Sequence, residues 1–296
     1  MSNMKDIMAL IPTPFTDNYE VDEDSLRRLI DFEMENGCSG VGVLAAIGEG
    51  YLIPHDGWRK VIEVAVKHMD GRAPLMAGCP TMSTFHAIQL CKEAEDLGAD
   101  AILGFNPQGF RSYSDVELIT HYKAITDAVK IPVAPYSRAV DPVSFNVLKA
   151  LVDDNRIAYI KYAYQNAKLL SEMSAHFGDD LFIFCGADTL TLRYLLLGCS
   201  GVLTATAAIL PKEHVTILTM VKEGDLEGAR AYYYQAISAW NDIAFHDMNT
   251  WHALHKVALK EMGVIKTAKV LMPQGSPIPY QVDEVKWFVK HYGKAK

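Results

Sequence analysis

Residues 157–164 read IAYIKYAY, which places Lys161 inside an apolar, β-prone run. Lysine is almost never fully buried without a partner. Taking its ammonium out of water is costly, and the usual response is a lowered pKa. Lys161 is therefore either half of an ion pair with a carboxylate on a neighbouring strand, or it is there for its amine. A neutral amine attacks a carbonyl carbon. The protonated imine so formed draws electrons from the adjacent carbon and stabilises a carbanion, which aldol cleavage, aldol addition and β-elimination all need. A tyrosine hydroxyl beside the amine can move the protons of these steps. Tyr136, in PYSR (135–138), is the candidate, with ordinary core packing as its other reading. Arg138 suits a carboxylate clamp or a place on the surface. Glu49, in AAIGEG (45–50), either acts on a substrate or, as loop carboxylates more often do, braces its own loop.

These residues need elements to hold them. Short apolar runs recur at 7–15, 39–47, 73–79, 101–107, 131–137, 157–163, 181–187 and 201–208. They are continuous rather than alternating in polarity, as strands buried on both faces must be. Amphipathic helical stretches lie between them. VDEDSLRRLIDFEMENG opens with an acidic turn and ends on glycine. SDVELITHYKAITDAV offers Ser114 as an N-cap, and PKEHVTILTMV begins with Pro211, suited to a first helical turn. The eight repeats predict an α/β fold, a (β/α)8 TIM barrel, over a doubly wound open sheet. Beyond residue 224 the strands stop, and GDLEGARAYYYQAISAWNDIAF, TWHALHKVALKEMG and QVDEVKWFVKHYG have helical period. The expected organisation is a barrel with the active site over 1–224 and a C-terminal helical extension, 225–296, packed on it. In a barrel, reactive residues sit at the C-terminal strand ends. Lys161 and Tyr136 fall there, on adjacent strands at similar depth.

Composition narrows the function. The net charge is -8 and no basic block or basic-aromatic patch occurs, which argues against a nucleic-acid partner. No apolar run approaches a membrane span. The start, MSNMKDIMALIPTPF, lacks a secretory pattern, and Cys38, Cys79, Cys91, Cys185 and Cys199 are scattered without a C-x-x-C pair. A cytoplasmic protein with free thiols is expected. Asp188 is read as a helix N-cap. His246, His252 and His255 are read as helix surface rather than metal ligands. Tyr232, Tyr233 and Tyr234 fit packing or a subunit interface, and GCSG (198–201) is too short for a phosphate loop.

Nearly the whole chain resembles the dihydrodipicolinate synthase/N-acetylneuraminate lyase family. The parts that carry the resemblance stand in order: TPF (13–15), IGEG after the second strand, Tyr136 on the fifth, Ile160-Lys161 on the sixth, CGAD after the seventh and GVLTATA at the eighth. HALHKVALKEMG matches beyond the barrel. The resemblance implies that Lys161 forms a Schiff base with pyruvate or a longer 2-keto acid and that Tyr136 transfers protons. It also implies that Gly186 and Leu203 line the substrate site, that no cofactor is needed, and that the protein is a homotetramer, a dimer of dimers. The family's carboxylate-binding turn commonly carries two hydroxyl residues. Here Ala46 and Ile47 replace them, so that turn, with Gly48, is expected to hold the C1 carboxylate through backbone N–H groups.

A second tyrosine, which in the synthase completes a proton relay, is expected after the fourth strand. There the chain reads FNPQGFRSYSD, with Gln108 and Gly109 near the place, Phe110 adjacent and Tyr113 further on. The relay of the synthase is thus missing, which argues against the lysine-biosynthetic condensation. The usual Tyr-Asn-x-Pro is YSRAVDP. An arginine two residues after the tyrosine is similar to the branch that dehydrates keto-deoxy-glucarate, with Arg138 binding the distal part of the substrate. The expectation is a class I lyase making or breaking a C–C bond. The alternatives are a dehydratase of a keto-deoxy sugar acid and a non-catalytic keto-acid binder, with a metal-dependent aldolase last.

Overall fold

The computed structural model describes residues 4–107, 109 and 112–292. Its strands are β1 (Ile7–Leu10), β2 (Gly40–Val43), β3 (Leu75–Cys79), β4 (Ala101–Phe105), β5 (Val133–Ser137), β6 (Tyr159–Tyr162), β7 (Phe182–Cys185) and β8 (Gly201–Thr204). All pair in parallel and in sequence order, and β8 closes on β1 with Met8 opposite Leu203. This is the (β/α)8 barrel. Each expected apolar run contains one strand, but the strands are shorter than the runs. After β1, Pro12 and Pro14 have no N–H to give to a ladder. After β8, residues Thr206–Ala208 form a 3-10 turn.

The helices of the repeats are α1 (Glu23–Glu35), α2 (His55–Met69), α3 (Thr84–Asp96), α4 (Asp115–Ala128), α5 (Phe145–Asp153), α6 (Ala167–Phe177), α7 (Thr191–Leu196) and α8 (Pro211–Glu223). Their starts follow from side chains. Asp22 accepts the Ser25 N–H ahead of α1. Ser114 and Glu117 form a reciprocal capping box at α4. Pro211 opens α8, and Gly224, with φ +83°, ends it. The large core lies between the strands and these helices, around residues such as Leu29, Ile62, Leu90, Ile160 and Ile217. A second, smaller cluster fills the barrel itself, with Met8, Leu10, Met76, Leu103, Phe105, Tyr136, Phe184 and Leu203.

The chain continues through α9 (Leu226–Gln235), α10 (Ile237–Ala244), α11 (Trp251–Glu261) and α12 (Pro279–Tyr292). The stretch read as one helix over 224–245 is two, because Ala236 leaves helical geometry at φ −122°, ψ −61°. The break lets both pieces reach one turn at the end of β7. Tyr233 Oη donates to Thr189 O at 3.0 Å, and Asn241 Nδ2 to Asp188 O at 2.9 Å. Tyr233 is buried while Tyr234 is exposed. Among the described residues no helix is long and apolar enough to cross a membrane.

A single buried ion pair fastens α11 to the barrel. Lys256 Nζ donates to Glu49 Oε1 at 2.5 Å and to Lys269 O at 2.7 Å, and the Leu271 N–H reaches Glu49 Oε2 at 2.6 Å. Both charged side chains are sealed from solvent. Burial pushes the Glu49 carboxyl up and the Lys256 ammonium down, to about 8, while each charge opposes the other's shift. Removing one partner leaves the other buried and uncompensated. Lys256→Met is therefore expected to lower unfolding free energy by roughly 3–5 kcal/mol, read from urea denaturation. Restoring neutrality with Glu49→Gln in the same chain should recover part of that loss.

Candidate active site

Lys161 points into the barrel from β6 and is 3% exposed. Its ladder partners are Tyr136 on β5 and Phe184 on β7. Its Nζ lies 3.7 Å from the centre of the Tyr136 ring. The amine therefore rests on the ring face rather than on the hydroxyl. Gly186 gives it room, since a Cβ there would stand 2.7 Å from Lys161 Cγ and 2.8 Å from Cε. Burial drives the Lys161 pKa down from 10.5 to about 7; the charge of Arg138 adds to the fall, and Asp188 and Cys185 oppose it. Near neutral pH a large share of this amine is unprotonated, the condition a nucleophilic lysine requires. Tyr136 is also buried, and loss of solvent pushes its hydroxyl well above the usual range. It therefore keeps its proton near neutral pH.

Asp188 does not cap a helix. Its carboxylate accepts the Thr206 N–H at 2.7 Å, and Thr206 Oγ1 and Asn241 Oδ1 share a hydrogen bond at 2.9 Å. The turn after β7 bends back toward the end of β8, which puts this acid on the first N–H of the 3-10 turn Thr206–Ala208 rather than at the start of its own helix. From there its field acts on Lys161.

The turn after β2 is held from behind. Leu44 and Glu49 take positive φ, +59° and +57°. Gly50 cannot be replaced without collision, because a Cβ would lie 2.0 Å from Leu44 O. Thr13 Oγ1 donates to Gly48 O at 2.7 Å, and His252 Nε2 to Ala46 O at 3.1 Å. Among the described residues the N–H groups of Ile47 and Gly48 have no acceptor. With its carbonyls engaged, the turn has amide donors to offer a carboxylate. Glu49 braces this turn through Lys256. The Ile47 side chain joins the cluster inside the barrel, along with Ala45, Leu203 and Ala205.

Arg138 is close to the site but is not free. Its guanidinium donates to both Asp141 carboxylate oxygens, at 2.8 and 2.6 Å, and to Tyr51 Oη at 2.7 Å. Its central carbon lies 5.6 Å from the ring centre of Tyr136 and 5.9 Å from those of Tyr51 and Phe105. Gly109 and Tyr113 line a cleft of about 560 Å³ with Arg138, Val140, Asp141 and Ser144. Gln108 and Phe110 lie outside the described residues.

The histidines of the C-terminal segment divide. His246 is exposed. His255 is fully buried, not surface; its Nδ1–H donates to Trp251 O at 2.7 Å and its Nε2 accepts from Trp240 at 3.4 Å. His252 is half-buried behind the β2 turn. Burial brings both to about 4, so they stay neutral. Among the described residues no three His, Cys, Asp or Glu side chains are grouped to hold a metal ion.

Several neighbours of the site had no sequence signal: Trp251, which packs on the cluster inside the barrel, Tyr51 and His252. Asp141 had one, its place three residues after Arg138 in the same loop.

Gly186→Ala is expected to displace Lys161 and cut its rate of covalent trapping by a keto acid at least about tenfold, since a 2.7 Å approach forces the side chain to shift. Between about pH 7 and 10.5 the unfolded chain keeps the Lys161 proton and the folded chain does not, so stability rises with pH in that window. Lys161→Met removes this slope. Its stability advantage over the wild type, read from denaturation at several pH values, should be largest below pH 7 and shrink toward pH 10.5.

The sequence model of the dihydrodipicolinate synthetase family matches residues 3–291. The 4-hydroxy-tetrahydrodipicolinate synthase of Syntrophobacter fumaroxidans is 30% identical over 289 residues, 97% of this chain and 98% of that protein. The synthase of the same name from Methanocaldococcus jannaschii is 34% identical over 235 residues, 78% of this chain and 80% of that one. A crystal structure of a dihydrodipicolinate synthase superposes with a TM-score of 0.90 at 30% identity, covering 98% of this chain and 99% of that one. Matched from end to end in sequence and in fold, the chain belongs to the dihydrodipicolinate synthetase family, whose members are lyases.

Proposed function

We propose that this protein is a class I lyase in which Lys161 forms an imine with pyruvate or a longer 2-keto acid. The observation that carries the reading is the Lys161 amine, sealed inside the barrel and brought to about pKa 7 by burial, at the end of β6 beside Tyr136. The amine attacks C2 of the keto acid, and the carbonyl oxygen leaves as water. The C1 carboxylate sits against the N–H groups of Ile47 and Gly48. The imine then takes up the electron pair released when a C3 proton, or a C3–C4 bond, breaks. Tyr136, kept protonated by burial, delivers and recovers protons at the departing oxygens. In the direction of synthesis C3 attacks an aldehyde carbon, and water releases the 4-hydroxy-2-keto acid from the lysine.

The activity named for the curated relatives, 4-hydroxy-tetrahydrodipicolinate synthesis, is the second reading. It is favoured by 30% identity over 97% of the chain. Against it stand Ala46 and Ile47, which supply no hydroxyl to a relay. Membership of the family also supports a homotetramer built from dimers in the cytoplasm, with mass by sedimentation as the direct check.

Reduction with cyanoborohydride in the presence of pyruvate should attach a three-carbon adduct to the peptide containing Lys161, read by mass spectrometry. Absence of an adduct with every 2-keto acid tried would exclude the imine. With a pKa of about 7 the neutral amine grows about tenfold from pH 6 to pH 8, so the initial trapping rate should rise by a similar factor and then level. Loss of water without carbon fragmentation, read from product mass, would select the dehydratase alternative.

A further inference from the structure

The cluster inside the barrel, to which Lys161's neighbours Tyr136 and Phe184 belong, also carries information about the partner substrate. Ile47 projects into the barrel where a hydroxyl residue would make that surface polar, and Ala45 and Ala205 continue the apolar lining. Trp251, the first residue of α11, packs on the same cluster and stacks on Phe245 at 5.7 Å between ring centres. Its neighbour His252 is tied to Ala46 O, which fixes the start of α11 against the β2 turn. On the β4–β5 side, Phe105 meets Tyr51 and Tyr136 edge to face, each at 5.4 Å.

Arg138, the guanidinium that touches these rings, is engaged by both oxygens of Asp141 and has its charge cancelled there. Among the described residues Arg138 is the only guanidinium over these rings, so a carboxylate or phosphate on the far end of a substrate would have to displace Asp141 or lie beside it, and burying an anion without a free cation is costly. An uncharged planar group meets no such penalty and gains from the aromatic surface.

We propose that the second substrate, the aldehyde added to or released from the lysine-bound keto acid, is uncharged and apolar, with a flat group seated against Trp251 and Ile47. Trp251 and the Arg138–Asp141 pair are then the determinants of specificity: the first attracts the apolar group and the second refuses an anion. The inference rests on the imine reading for its chemistry, but the charge and shape of the pocket are testable apart from it.

The test compares matched aldehydes with the full-length protein and pyruvate. Benzaldehyde and 4-carboxybenzaldehyde differ in charge at the far end. Wild type should show kcat/KM for benzaldehyde at least about tenfold higher, in line with about 1.4 kcal/mol or more against the buried anion. Asp141→Asn frees the guanidinium and should raise kcat/KM for 4-carboxybenzaldehyde about fivefold or more while benzaldehyde gains nothing comparable. Trp251→Ala should collapse the preference for benzaldehyde, and Trp251→Phe, which keeps a flat ring, should retain most of it.

Equal or better use of 4-carboxybenzaldehyde by wild type, or no gain from Asp141→Asn, would overturn the proposal. A chemistry-free arm separates the two readings. Benzyl alcohol should quench the part of the tryptophan fluorescence that Trp251→Phe removes, and glycolate should not. Quenching without any lysine adduct would sink the imine and uphold the pocket. Lysine trapping without quenching, with the carboxylated aldehyde preferred, would do the reverse.

Discussion

The candidate site depends on keeping one amine out of water with, among the described residues, no carboxylate in contact to pin its charge. A closed barrel does this by geometry. Strands packed on both faces set Lys161 between its ladder partners Tyr136 and Phe184, which belong to the apolar cluster inside the barrel, and no edge admits solvent from the side. The nearest acid that acts on it, Asp188, is occupied by the Thr206 N–H and moderates the shift without locking the ammonium in place. Gly186 completes the arrangement by leaving the space that the side chain crosses. Desolvation, field and steric allowance act on the same few atoms, and together they bring the amine to the range that the proposed imine chemistry needs.

The β2 turn shows the same logic applied to a ligand. Its donors are available because its acceptors are spent. Thr13 and His252 take up carbonyls from two directions, and the Glu49–Lys256 pair anchors the far end. The strain of two residues at positive φ is tolerated because these contacts over-determine the backbone. A loop fixed in this way has little left to reorganise when its N–H groups meet an anion, as the proposed carboxylate site requires.

Much of this was legible in the sequence, for physical reasons. Strands buried on both faces read as unbroken apolar runs, so the eight repeats stood out, and a charge inside one of them broke the pattern enough to mark Lys161. The strand ends followed less well, because proline and 3-10 turns cut the ladders before the apolar runs ended. The C-terminal segment was the hardest to place. A helix packed over the mouth of a barrel has the same period as one facing water, so Trp251, His252 and His255 gave no sign of their burial. Asp188 misled because an acid after a glycine has the look of the start of its own helix, whereas its real partner is the first amide of the 3-10 turn that follows β8. Arg138 was recognised as near the site, but its pairing with Asp141 became visible only when both side chains were placed.

The tie between Glu49 and Lys256 spans 207 positions of sequence. On the ribosome, the first half of the barrel emerges long before α11 exists to neutralise that acid. Until then Glu49 has no buried cation waiting for it, and the β2 turn lacks the histidine that draws back its Ala46 carbonyl. The mouth of the barrel is thus completed only after all eight strands have been made, by a segment that lies beyond the last of them. A nascent or clipped chain can hold much of the barrel core and still lack the contacts that brace the β2 turn, which are complete only once synthesis has run through α11 and the Lys269–Leu271 stretch.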